Sequence, residues 1–258
     1  MEELAQFRKL VILFILKIQS SNRKCIPMPE GLVKVPVPVN EPILSYMPGS
    51  KERKEIKIKL DELLNQNPIE IPLIIGGKEI KTDRIVEIRM PTNTSHILGT
   101  YHKAGPNEIQ MAIDAALNAW IEWSEMEWES RLSIFLKMSE LLAGPYRMTL
   151  NASTMLGQGK NIFQAEIDAA CELIDFWRFN PYYLSEIYRE QPFYSPQGQW
   201  NYVQYRPLEG FVFAVTPFNF TSIAGNLTAA PAMCGNVILW KPASGGPVKQ
   251  DRMRYKWQ

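Results

Sequence analysis

The sequence predicts an α/β chain in which a largely helical first part, carrying a small hairpin, leads into one strand–helix–strand unit of a parallel sheet. Residues 211–215 (FVFAV) form an apolar run without alternation, as in a strand buried on both faces, and residues 237–240 (VILW) form a second. Between them Thr216 and Pro217 stop the first strand, and Thr221 or Ser222 is placed to cap a helix. An Ala-rich stretch to Met233 is long enough for about three turns, after which Gly235 and Asn236 end it. Strands joined by such a crossover lie parallel, and ligands bind beyond their carboxyl ends. Thr216, Asn219 and Lys241 are the polar groups placed there.

The elements before this unit follow in order. Residues 10–16 are apolar and flanked by Arg8, Lys9 and Lys17, far short of the roughly 20 residues of a membrane span. The basic residues with Ser20 and Ser21 fit an organelle-targeting leader, Glu2 and Glu3 count against one, and the alternative is a misread start or a disordered leader. The proline-rich stretch 26–48 predicts an extended arm. Ile56, Leu60, Leu63 and Leu64 share one face of a helix over 51–66. Residues 71–82 predict a hairpin turned on Gly76 and Gly77, with 85–90 a further strand. His96 and His102 are expected in an exposed loop between Pro91 and Pro106, neither spaced for a metal.

From Asn107, read as a cap, the chain turns helical. Ile109, Ile113, Leu117 and Trp120 share one face, and Leu132, Phe135, Met138 and Leu142 the next; both are expected in the core. A short helix over 149–156 ends at Gly157 or Gly159. The run Gly157, Gln158, Gly159, Lys160 lacks the earlier glycine of a phosphate loop, so it reads as helix punctuation. The longest helix spans 161–187 and is expected to break near Pro181. Its Asp168, Glu172 and Asp175 form a row, read as a solvated face rather than a metal or acid–base site, while Glu166 lies on another face. Residues 199–206, with Trp200, Tyr202 and Tyr205, predict a strand. After Gly245 and Gly246 the hydrophobic period stops.

Composition narrows the function. A chain of 258 residues with 46% hydrophobic and 21% charged side chains is globular in type, and a net charge of +1 leaves no field to attract nucleic acid. Cys25, Cys171 and Cys234 are widely spaced without a CxxC pair, which indicates neither a zinc site nor a disulfide framework and suits a reducing compartment. The sequons at Asn93, Asn151, Asn219 and Asn226 are short patterns that recur by chance. An amide at Asn219 could donate to an oxyanion, an interaction worth roughly 3 kcal/mol in other enzymes, or bond the backbone of its own turn. Lys241 could reach a sugar hydroxyl or phosphate, or lie in water. Side by side at one sheet end, the two gain weight as a site.

TPFNF at 216–220, Ala-Pro-Ala and Gly-Asn within 230–236, and LWKP at 239–242 resemble the aldehyde dehydrogenase superfamily. GQGKNIFQAEIDAACELIDFWRFN at 157–180 and LEGFVFAVTPFNFTSIAGNL at 208–227 are similar to its delta-1-pyrroline-5-carboxylate dehydrogenase branch, which oxidises L-glutamate γ-semialdehyde to L-glutamate with NAD. The resemblance runs from about Val35 to Pro242 by eye. It implies that Asn219 donates to the oxyanion, that Lys241 bonds the adenine ribose, that Thr216, Pro217 and Phe218 border the NAD, and that Glu166 borders the substrate channel. It also implies a Rossmann-type sheet, a small-molecule aldehyde substrate, a homo-oligomer joined through the 199–206 strand, and a mitochondrial matrix location in eukaryotes, otherwise cytoplasmic.

The division expected is a leader (1–34), a helical part with the hairpin (35–198), the oligomerisation strand (199–209), the first βαβ of the NAD fold (210–242) and a tail outside the family (243–258). The family's nucleophilic cysteine, its general-base glutamate and its pyrophosphate loop follow the LWKP strand. Cys234 is expected as a small buried thiol and not as that nucleophile. The chain is therefore expected to be a truncated N-terminal portion, inactive and aggregation-prone alone and binding NAD weakly or not at all. The alternative is a non-catalytic protein that associates with full-length subunits.

Overall fold

A computed structural model describes residues 34–244 of the chain. The leader expected over 1–34, with Cys25, and the tail expected over 243–258 lie outside the described residues, save for Lys34, Ala243 and Ser244. Pro36, Pro38 and Pro42 keep the first stretch extended up to a turn at Pro48 and Gly49. Helix α1 (Lys51–Asn65) starts on Ser50, whose Oγ accepts from the Arg53 N–H at 3.3 Å, and buries Ile56 and Leu63.

Strand β1 (Ile69–Ile71) runs parallel to β5 (Asn93–His102), which pairs antiparallel with β4 (Ile85–Met90). Between β1 and β4, β2 (Leu73–Ile75) and β3 (Lys78–Ile80) form the expected hairpin. Its turn rests on Gly76 and Gly77 at φ of 55° and 74°, the left-handed pair a two-residue turn requires. Strand β5 corrects the loop expected between Pro91 and Pro106. Register shifts on either side of Arg89 interrupt its pairing with β4 and blur the two-residue period by which such a ribbon is recognised. His102, expected exposed, is buried at the end of β5, its Nε2 2.9 Å from Glu70 Oε1.

Helix α2 (Pro106–Glu125) begins one residue before the expected cap: Pro106 takes the first helical position and the Gly105 N–H donates to Glu108 Oε2 at 2.5 Å. No residue of α2 is buried, and Ile109 and Leu117 are 51% and 44% exposed, so the face expected in the core stays largely open in this chain. By contrast α3 (Trp128–Ala143) buries Leu132, Phe135, Met138 and Leu142, as their spacing predicts. Helix α4 (Arg147–Gln158) is closed by Gly159 at φ 67°.

Asn161 caps a short helix α5 (Ile162–Ala165), which passes through a wider π-helical turn (Glu166–Cys171) into α6 (Glu172–Arg189). Helix α6 continues through Pro181, so the irregularity expected there lies instead in the π turn. One apolar core joins α3, α6 and α7 (Thr221–Met233) around Phe135, Leu142, Leu173, Trp177, Ala224 and Met233; a second lies between α1, β1, β4, β5 and α4 around Tyr46, Ile56, Leu63, Ile71, Ile88 and Leu156.

The crossover is present. Strands β6 (Val212–Val215) and β7 (Ile238–Lys241) lie parallel with Val215 opposite Lys241. Two expectations about it change. Phe213 and Val215 are 60% and 54% exposed, so β6 is covered on one face only. Thr221 and Ser222 do not cap α7; both are buried inside its first turn and bond to other helices. Residues 199–206 form no strand among the described residues, because β-prone side chains without a partner strand leave the backbone unladdered. Trp200 and Tyr202 are correspondingly exposed.

Candidate active site

The flush ends of β6 and β7 set the geometry. The Thr216 N–H donates to the Lys241 carbonyl at 3.3 Å, and Trp240 Nε1–H donates to Thr216 Oγ1 at 2.9 Å, which buries the threonine hydroxyl. The chain then bends at Phe218 and Asn219 before entering α7. Thr216, Pro217, Phe218, Asn219 and Lys241 are thus brought to one end of the parallel pair. Phe218 is 63% exposed, and Asn219 and Lys241 are exposed too. Among the described residues the Asn219 amide makes no hydrogen bond, so it is not consumed by its own turn, and the Lys241 ammonium makes no ion pair.

The bend is fastened from beneath by groups that the sequence presented as caps, helix punctuation or a solvated row. Gln158 Nε2 donates to the Phe218 carbonyl at 3.0 Å and lies 3.5 Å from Thr221 Oγ1. Thr154 Oγ1 and Thr221 Oγ1 share a buried hydrogen bond of 3.1 Å. Ser222 Oγ donates to Glu172 Oε2 at 2.5 Å, and Lys160 Nζ, paired with Asp168 at 2.6 Å, stands 4.1 Å over the Phe220 ring. The carboxylate row is therefore not a solvated face. Asp168 and Glu172 hold this corner, while Asp175 accepts from Asn40 Nδ2 and the Glu41 N–H, both at 2.7 Å.

Glu166 has a different place from the one expected. It is fully buried, and its two oxygens accept from the Leu44 N–H (2.8 Å), Tyr46 Oη (2.8 Å), Asn151 Nδ2 (2.7 Å) and the Arg147 guanidinium. Among the described residues a carboxylate so enclosed faces no open space; it pins the proline-rich arm to α4 and the π turn. Burial alone would raise its pKa, and the Arg147 guanidinium, the Leu44 N–H and the Tyr46 hydroxyl outweigh that, holding it below the usual carboxylate range. Tyr46 sits at φ 52°, rare for a bulky residue, and is fixed there through its hydroxyl and through its carbonyl, which accepts from Arg53 Nη1 at 3.2 Å.

Neither described cysteine is poised as a nucleophile. Burial, then the neighbouring Glu166 charge, pushes the Cys171 thiol up to about 12, and burial raises Cys234. Among the described residues no three His, Cys, Asp or Glu side chains gather as a metal site, and no helix is long and apolar enough to cross a membrane. An open groove of about 590 Å³ is lined by Gln191, Pro192, Ser195, Trp200, Asn201, Tyr202 and Val203. It is formed by the 191–203 stretch and includes neither Asn219 nor Lys241.

The sequence pattern of the aldehyde dehydrogenase family matches residues 79–253, running past Pro242. A delta-1-pyrroline-5-carboxylate dehydrogenase of Agaricus bisporus is 50% identical over 210 residues, which are 81% of this chain and 38% of that protein. The mitochondrial enzyme of the same name from Mus musculus is 46% identical over 204 residues, 79% of this chain and 36% of its own length. The crystal structure of the Mycobacterium tuberculosis delta-pyrroline-5-carboxylate dehydrogenase bound with NAD superposes with a TM-score of 0.85 at 43% identity, over 88% of this chain and 43% of that one. The chain thus spans well under half the length of the proteins it matches.

Proposed function

The chain belongs to the aldehyde dehydrogenase family and has an α/β fold of that type; from this we propose that it forms the N-terminal part of an NAD-dependent enzyme that oxidises L-glutamate γ-semialdehyde, derived from 1-pyrroline-5-carboxylate, to L-glutamate in proline catabolism. The observation that carries the proposal is that the Asn219 amide, without a hydrogen bond among the described residues, lies in the bend that follows β6 at the strand end where Val215 pairs with Lys241. When a nucleophile adds to an aldehyde, negative charge develops on the carbonyl oxygen, and a donor already aimed there stabilises it without reorganising. Asn219 fills that role.

Lys241 and the bend after Thr216 fit the cofactor: an exposed ammonium with no ion pair among the described residues is available to ribose hydroxyls, and Thr216, Pro217 and Phe218 form the adjoining wall. NAD supplies the hydride acceptor. Burial raises the Cys171 and Cys234 thiols and so disfavours the thiolate a nucleophile needs, and the 258 residues alone are proposed to be inactive. Appearance of NADH when the purified chain meets glutamate semialdehyde and NAD would sink that statement. Joining residues 1–242 to the remainder of the Agaricus bisporus relative is expected to give an active enzyme, and Asn219→Ala in that fusion is expected to lower kcat by about 10²-fold. The name of the mouse relative supports a mitochondrial location, for which we propose the matrix and which cell fractionation would test.

A second reading has one observation in its favour. Trp200 and Tyr202 lie 89% and 72% exposed on a β-prone stretch that has no partner strand among the described residues. Such a stretch suits pairing with another subunit, as a homo-oligomer or as a non-catalytic companion of full-length subunits. Co-expression with the complete enzyme tests it: failure to co-purify removes the companion reading.

A further inference from the structure

The polar residues of α4 make one continuous ridge. Arg147, Asn151, Thr154 and Gln158 are spaced four, three and four apart, which puts them on one face of the helix, and the first three are almost fully buried. Arg147 and Asn151 serve the Glu166 cluster, Thr154 holds Thr221, and the ridge ends at Gln158 beneath the bend. The Phe218 carbonyl that Gln158 engages belongs to the peptide unit whose N–H is that of Asn219. A peptide unit is planar, so fixing the oxygen at one end fixes the direction in which the next Cα leaves. The carbonyl can only accept, so the Gln158 amide must present its NH2 to it. Its Oε1 is left buried without a hydrogen bond among the described residues, so the side chain is not oriented by satisfying its own acceptor.

We propose that Gln158 is a positioning residue for Asn219: by holding the Phe218–Asn219 peptide, it keeps the Asn219 amide turned out of its own bend and toward the reacting carbonyl. The proposal rests on the reading of Asn219 as the oxyanion donor. It requires the loss of Gln158 to lower kcat even at saturating NAD, since the peptide it holds carries Asn219, while Phe218 in the same bend borders the cofactor.

Two measurements test it. In the 258-residue chain, Gln158→Leu is expected to raise amide hydrogen exchange in the 216–221 segment while that of 238–241 stays unchanged. In the fusion with the Agaricus bisporus remainder, the same variant is expected to lower kcat about tenfold at saturating NAD, the effect of one lost positioning hydrogen bond. Gln158→Glu supplies a readout that a purely structural role would not move. An ionised carboxylate repels the Phe218 carbonyl and a protonated one can donate to it, so relative to the parent fusion its kcat should recover as pH falls toward the carboxylate range. Unchanged exchange in 216–221, or unchanged kcat in Gln158→Leu beside an impaired Asn219→Ala, overturns the role of Gln158. Full kcat in Asn219→Ala overturns instead the oxyanion reading on which it rests. If Gln158→Leu raises exchange throughout the chain, the pH profile of Gln158→Glu decides: recovery supports the proposal and a flat ratio to the parent overturns it.

Discussion

The two ends of helix α4 support polar groups in opposite states. At its start, Arg147 and Asn151 belong to a cluster in which Glu166, Tyr46, Glu41 and the arm carbonyl of Pro42 are interlocked and nearly dry. At its end, Thr154 and Gln158 support a bend on which Asn219 is exposed and, with Lys241 nearby, lacks a side-chain partner among the described residues. The contrast teaches how to tell a carboxylate spent on structure from an amide left available. A buried charge persists only when its oxygens are filled, and filled oxygens leave nothing for a ligand. An exposed donor at a strand end contributes little to folding and is free to bind.

If that contrast is correct, substitutions at the start of α4 should act on stability. The largest effect is expected from Glu166→Leu, which strips the Arg147 guanidinium of one carboxylate and leaves the Leu44 N–H without its acceptor. Removing one partner of a buried pair costs about 3–5 kcal/mol. A urea midpoint should fall accordingly; a midpoint equal to that of the parent chain would dissolve the distinction between the two ends.

A smaller loss tests the wall between the regions. A Cβ at Gly225 of α7 would meet Leu173 Cδ1 of α6 at 2.6 Å, and Leu173 is fully buried, so its side chain has little room to turn away. Gly225→Ala is expected to cost about 1–3 kcal/mol through overpacking. Because α7 begins at the bend, hydrogen exchange in 216–221 should rise with it, while the Leu44 amide of the arm stays protected. Equal loosening of both would show the two clusters to be one unit.

The pH dependence sharpens the same point. The folded Glu166 pKa is depressed, so its contribution is present above the unfolded carboxylate value and lost as pH falls through the folded one. The Cys171 pKa is raised from the ordinary thiol value of 9.0 to about 12, so the folded chain holds a proton that the unfolded chain releases. Its contribution is full below the ordinary value and is lost as pH rises toward the folded one. Cys171→Ala is therefore expected to flatten the alkaline limb of a stability profile and leave the acid limb in place. An unchanged alkaline limb would remove the thiol from the cluster.

The crossover was legible because its two apolar runs and its Gly235–Asn236 stop are local, and so was the hairpin, whose Gly76 and Gly77 admit few other turns. The face of α3 was legible for the same reason. What was not legible depends on distant partners. Glu166 reads as an ordinary helical carboxylate until Leu44, Tyr46, Arg147 and Asn151 close around it. His102 needed Glu70, and the 199–206 stretch has strand propensity but no strand beside it. The ridge of α4 could have been found from its four-three-four spacing, although nothing in that spacing says which end faces the bend.

The smallest expected effect is the most discriminating. Asn219→Ala and Lys241→Met each remove a group that makes no side-chain hydrogen bond or ion pair among the described residues, at an exposed position. Surface changes away from caps, cores and networks stay within about 0.5 kcal/mol. Both variants of the 258-residue chain should therefore melt with the parent, although the sequence places them in the same short unit as the buried Thr216 and Thr221. A loss above about 1 kcal/mol in Asn219→Ala would mean that its amide supports the bend after all. Asn219 would then belong with Glu166 among the structural groups, and the oxyanion would need another donor.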